Sequence, residues 1–148
     1  MTARELLTEK ILGRKRKLGL TWATIAGALG TNSAIVYTAA MLGQFQLTAD
    51  EAEKAATLLE LDTEDAKLLT ECPVRGNNPM PPTDPLIYRF YELIQNYGPT
   101  WKELIHEEFG DGIMSAIDFN MSIEREPDPK GDRVKIALSG KFLPYKRF

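Results

Sequence analysis

Arg89 and Glu92 stand three residues apart in the run Asp84-Pro-Leu-Ile-Tyr-Arg-Phe-Tyr-Glu-Leu, a spacing that brings both charged groups to one face of a helix. An arginine is permanently charged and forked, so it can hold a carboxylate-like group through two hydrogen bonds. Taken alone, the pair reads first as an ordinary exposed ion pair worth a few tenths of a kcal/mol. Ser115 follows a Gly110-Asp-Gly turn and can donate its hydroxyl to an anion without adding charge, or simply be a small residue at a helix–strand junction. As a nucleophile it needs a base. The one histidine, His106, sits beside Glu107 and Glu108, where a solvated or capping role fits better. The one cysteine, Cys72, excludes an internal disulfide and a thiolate zinc cluster, and a single histidine excludes a multi-histidine metal site within the chain. Cys72 reads as a small hydrophobe near a linker. No phosphate-binding loop or dinucleotide fingerprint is spelled by the glycines.

The elements that must position these residues follow from periodicity and punctuation. Leu6, Leu7, Ile11 and Leu18 mark an amphipathic helix over about residues 3–18, ended by Gly19. Thr21 caps a second helix through Ile25, Ala26 and Leu29, stopped by Gly30. Asn32 or Ser33 caps a third, with Ile35, Val36, Ala39 and Ala40 as apolar positions, ending near Gly43. Thr48-Ala-Asp-Glu51 is a capping box that opens a fourth helix through Ala52, Ala55, Ala56 and Leu59. Asp62 starts a fifth, with Ala66 and Leu69 inward. Residues 1–72 therefore form a helical bundle, and Pro and Gly across residues 73–83 make a semi-rigid linker.

Asp84-Pro85 then starts the helix that carries Arg89 and Glu92, an N-cap followed by a proline in the first turn. Leu86, Phe90, Leu93, Ile94 and Tyr97 give it one buried stripe, and Gly98-Pro99 ends it. Thr100-Trp-Lys-Glu103 caps a further helix to Phe109. The Gly110-Asp-Gly112 break can turn backbone N–H groups outward as a lining for an anion. Beyond Ser115, Phe119, Met121 and Ile123 alternate as one strand, and Val134, Ile136 and Leu138 as a second, across a loop at residues 127–132. Two strands alone are marginal, and only the Phe142-Leu143 tail offers a third. The expected class is α+β, with residues 84–148 a domain that pairs with another subunit.

At 148 residues, 43% hydrophobic and 26% charged, the chain is a soluble globular protein of one domain or two small ones. No apolar run reaches the length of about eighteen residues that a membrane helix needs, and no secretory pattern opens the chain, so the expected address is cytoplasmic. Helix, glycine turn and helix at residues 21–43 have the outline of a helix-turn-helix. A DNA reader needs cations for phosphates and polar side chains for base edges, yet Ser33–Met41 contains neither arginine nor lysine. With a net charge of −3 spread in patches, no strong field for nucleic acid exists either.

The words Asp84-Pro-Leu-Ile-Tyr-Arg-Phe-Tyr-Glu92, Tyr97-Gly-Pro-Thr, His106-Glu-Glu-Phe-Gly-Asp-Gly-Ile, Ser115-Ala-Ile and the ending Leu138-Ser-Gly-Lys-Phe-Leu-Pro-Tyr-Lys-Arg-Phe148 resemble the cyanase (cyanate hydratase, cyanate lyase) family, closely in the second half and loosely in the first. The resemblance implies a repressor-like N-terminal helical bundle without a DNA role. It also implies a C-terminal domain that intertwines with a partner, five such dimers making a homodecamer. It further implies a cofactor-free lyase: bicarbonate adds to cyanate, and the resulting dicarboxylate loses carbon dioxide to leave carbamate, which breaks down to ammonia and carbon dioxide. Its catalytic arginine, glutamate and serine fall on Arg89, Glu92 and Ser115. Gly112 and Ile113 are further candidates for substrate contact at a subunit interface. Two other readings compete: a helix-turn-helix regulator with a C-terminal dimerisation and anion-sensing domain, and a purely structural oligomerisation module.

Overall fold

The structure, a computed structural model, describes residues 1–76 and 80–148. Residues 77–79, part of the expected linker, lie outside the described residues. The order is α1 (Ala3–Lys17), α2 (Trp22–Leu29), α3 (Ala34–Met41), α4 (Ala49–Leu59), α5 (Thr63–Thr70), α6 (Pro85–Phe109), β1 (Gly112–Glu126) and β2 (Arg133–Pro144). The class is α+β, and two compact units divide the chain, Met1–Asn77 and Asn78–Phe148. Among the described residues, no helix is long and apolar enough to cross a membrane.

In the first unit, side chains take up the backbone N–H groups that each helix start leaves unpaired. Thr21 Oγ1 accepts from Thr24 N, and Ser33, rather than Asn32, caps α3. The Thr48–Glu51 box is joined by two more, Thr2–Glu5 and Asp62–Asp65. The buried cluster of this unit gathers Leu7, Ile11, Ile25, Leu29, Tyr37, Met41, Leu47, Leu59 and Leu69 with alanines between them. On α3 the buried positions are Tyr37, Ala40 and Met41, while Ile35, Val36 and Ala39 are only half-buried. The large ring of Tyr37 turns inward because its hydroxyl finds a partner, donating to Glu51 Oε1 at 3.0 Å.

Arg4 ties the helix ends together. Its guanidinium donates to the carbonyls of Leu68 (3.0 Å), Ala40 (2.8 Å) and Phe45 (3.1 Å), at or just past the C-terminal ends of α5 and α3. The Ala40 and Leu68 carbonyls also accept the N–H groups of Gly43 (3.1 Å) and Glu71 (3.3 Å), and the helix dipoles favour a cation beside them. Burial pulls the Arg4 pKa below its usual value, an effect that Glu71 opposes.

The second unit departs from expectation in three places. α6 does not stop at Gly98-Pro99; it runs unbroken to Phe109 with Pro99 inside. An internal proline loses one backbone bond and crowds the residue before it. Here that residue is glycine, with no Cβ to crowd, and the apolar spacing Phe90, Ile94, Tyr97, Trp101 and Leu104 continues in helical phase across the break. Second, α6 has no buried residue at all: the expected stripe is uncovered in the single chain. Third, β1 begins at Gly112, before Ser115, and Phe142-Leu143 belong to β2, paired with Met114 and Ile113, so the tail is not a third strand among the described residues. β1 and β2 make a two-stranded antiparallel sheet. Phe109 meets Phe142 at 5.2 Å between ring centroids, joining the end of α6 to β2.

Two measurements check this account of the bundle. Leu59, with no accessible surface, should cost about 2–5 kcal/mol as Leu59→Ala, read as a lower urea midpoint for helix loss. Glu51 is held below the ordinary glutamate value of 4.5, first by the Thr48 backbone N–H and then by the Tyr37 hydroxyl. A depressed folded pKa stabilises above pH 4.5 and is lost as pH falls through the folded value. The stability gap between wild type and Glu51→Gln should therefore be constant near neutrality and close in acid below that point; a gap that widens there contradicts the assignment.

Candidate active site

α6 starts where it does because Asp84 Oδ1 accepts from the N–H groups of Leu86 (2.9 Å) and Ile87 (3.0 Å), with Pro85 in the first turn. That start sets the phase of Arg89 and Glu92, one turn further along. Arg89 Nη1 donates to Glu92 Oε2 at 3.1 Å. The arginine side chain is 67% exposed and the glutamate 38%, so the contact itself is worth only a few tenths of a kcal/mol. Its weight lies in orientation: one carboxylate oxygen engages one end of the fork, and the other guanidinium nitrogens remain to meet an anion.

Ser115 lies inside β1, not at a helix–strand junction. It is 5% exposed, and its Oγ accepts from the backbone N–H groups of Ile117 (3.0 Å) and Asp118 (2.9 Å). The pairing of β1 with β2 is irregular at this point, between Met114 and Phe119. A serine closing a local turn on its own backbone is common chemistry for the residue. No sequence signal short of the strand register announces that it happens within a strand.

One N–H group of the expected anion lining at Gly110-Asp-Gly112 is taken up by the helix end. Gly110 N donates to His106 O at 3.0 Å, capping α6, and Asp111 O accepts from Tyr145 N at 3.1 Å. Gly112 is buried and pairs with Pro144; Ile113 pairs with Leu143 and stays 48% exposed. Both line an open-sided cavity of about 390 Å³ between the end of α6 and the start of β1, with Trp101, Lys102, His106 and Tyr145. Sequence reasoning did not find Lys102 and His106 as cavity residues: it read His106 as solvated or capping beside Glu107 and Glu108, and the facing wall of Gly112, Ile113 and Tyr145 is brought up only by the strand pairing. Arg89, Glu92 and Ser115 are not part of that lining. Among the described residues, no group of three His, Cys, Asp or Glu gathers closely enough to hold a metal ion. Cys72 is exposed, with Arg75 Nη1 at 3.9 Å from its sulfur.

Comparison with known proteins covers both units. Residues 4–73 match the family model described as cyanate hydratase, N-terminal, and residues 79–147 the one described as cyanate lyase C-terminal domain. A cyanate hydratase of Ralstonia pickettii is 59% identical over 146 residues, covering 98% of this chain and 99% of the relative. One from Dechloromonas aromatica is 57% identical over the same shares. The crystal structure of cyanase from T. urticae superimposes with a TM-score of 0.80 at 38% identity, covering 94% of this chain and 97% of that one. The regulator reading finds no support in these matches, since the helix-turn-helix-shaped segment itself falls within the cyanate hydratase N-terminal family. Matched across both units and at well over half identity to whole relatives, the chain belongs to the cyanate hydratase (cyanate lyase) family.

Proposed function

We propose that the protein decomposes cyanate with bicarbonate as co-substrate and without a metal or organic cofactor, giving ammonia and carbon dioxide. The relatives' names supply the substrate, and the oriented Arg89–Glu92 pair is the observation that carries the mechanism. Bicarbonate and cyanate are both anions. At about 3.5 Å and an effective dielectric of about 20 they repel by roughly 5 kcal/mol, and a catalyst must cancel this first. Arg89 is the clamp that does so, its fork matched to carboxylate-like oxygens. Glu92 holds the guanidinium in place; a carboxylate beside an anion site is costly unless paired, so the two act as a unit. Ser115 donates its hydroxyl to the reacting oxygens. Bicarbonate adds to the cyanate carbon, the dicarboxylate loses carbon dioxide, and the remaining carbamate breaks down to ammonia and a second carbon dioxide. Positioning and preorganised charge supply the rate.

One cation is little for two anions, so the site collects residues from several chains. Two features support this. α6 leaves Leu86, Phe90, Leu93, Ile94 and Tyr97 uncovered, and a two-stranded sheet is marginal without partners. An intertwined dimer covers both, and five such dimers form a homodecamer, with Gly112 and Ile113 at the shared interface. The exposed free thiol of Cys72 suits the reducing cytoplasm.

The test is ammonia release from cyanate, with and without bicarbonate. Release should require both, and Arg89→Leu should lower kcat/KM by about three orders of magnitude while sizing shows intact assembly. Near-normal turnover in Arg89→Leu overturns the clamp. Dilution until the oligomer dissociates should abolish activity in parallel with subunit loss; fully active monomers contradict a shared site.

A further inference from the structure

A hydroxyl oxygen has two acceptor directions and one O–H to give. Ser115 Oγ already accepts two backbone N–H bonds, from Ile117 at 3.0 Å and Asp118 at 2.9 Å. Its acceptor capacity is filled, and what remains is the donated proton. This state depends on the strand irregularity. Met114 pairs with Phe142 and Phe119 with Gly140, so Ser115, Ala116, Ile117 and Asp118 on β1 stand against Lys141 alone on β2. The looped-out backbone folds back on the Ser115 hydroxyl.

Gly140 sits at the closing pair of that irregularity. A Cβ built there overlaps the Ser115 carbonyl oxygen and lies 2.6 Å from Met114 Cγ. Its φ is not in the left-handed region, so the requirement is for space rather than for an unusual backbone angle. We propose that Gly140 is a positioning residue for Ser115: its missing side chain lets β2 press against the Ser115 carbonyl, and that approach keeps the hydroxyl an obligate donor aimed at anionic substrate. The proposal deepens the reading above and rests on Ser115 donating to the reacting anions.

A double-mutant cycle on ammonia release from cyanate and bicarbonate tests it, with sizing and far-ultraviolet circular dichroism recorded for each protein. Ser115→Ala should lower kcat about a hundredfold, as loss of a preorganised donor does. Gly140→Ala should lower kcat at least about tenfold with assembly and helix content unchanged. The double variant should fall within about twofold of Ser115→Ala alone, since a residue that acts through the serine has nothing left to disturb. Met114→Ala removes only the side-chain overlap, so adding Gly140→Ala to it should still depress kcat by a similar factor. The proposal is overturned by wild-type turnover in Gly140→Ala, by independent multiplication of the two losses, or by recovery in the Met114→Ala background. Failure of Gly140→Ala to assemble, with or without Met114→Ala, also overturns it and makes the glycine a structural residue. Wild-type turnover in Ser115→Ala is a separate failure: it removes the reading of Ser115 itself, and the proposal with it.

Discussion

Uncovered apolar surface is the constraint that governs the second half of this protein. A helix of 25 residues with none buried, followed by one antiparallel pair of strands, cannot exclude enough water to offset the entropy of ordering its own backbone. The sequence nonetheless spends large residues there: Phe90, Trp101, Leu104 and Phe109 are each more than a third exposed in the single chain. Residues of this kind are maintained on a surface when something covers them. The same helix carries Arg89 and Glu92, so whatever buries its apolar face also sets the dielectric and the neighbours of the charged pair. Stability and chemistry are linked through one element.

The first half solves its burial problem internally. Its buried cluster runs from Leu7 to Leu69, its helix starts are capped by Thr2, Thr21, Ser33, Thr48 and Asp62, and Arg4 ties together carbonyls at the helix ends. α3 has the place of a recognition helix but not its chemistry. It lacks any cation, and its largest side chain, Tyr37, points into the core and holds Glu51. A helix without a cation supplies none of the charge that phosphate contacts use.

Around Ser115 the protein uses hydrogen-bond direction rather than charge. A carboxylate or an amine there would add charge, whereas a hydroxyl fixed by two N–H donors keeps one polar hydrogen to give. In the proposed reaction Arg89 supplies the positive charge. As proposed, the two devices would complement each other: attraction that falls off slowly with distance, and a short directional contact.

Read from the sequence alone, the capped helices of the bundle, the start of α6 at Asp84, the Arg89–Glu92 spacing and the alternation of both strands were all legible. Each of these rests on interactions between residues a few positions apart, and local chemistry is written locally. The continuation of α6 through Pro99 was not, because a proline's cost is local but the apolar spacing that outweighs it runs on both sides of the break. Nor was the inward turn of Tyr37, which depends on a carboxylate fourteen positions away. The setting of Ser115 was hidden for the same reason: its hydroxyl contacts are near in sequence, but the looped-out strand that produces them is defined by its register against β2, where Gly140 comes close to the Ser115 carbonyl. Side-chain type and spacing determined which groups could do chemistry; the register between two strands far apart in sequence decided which N–H groups the Ser115 hydroxyl accepts, because hydrogen-bond direction is set by backbone geometry that no short stretch of chain specifies.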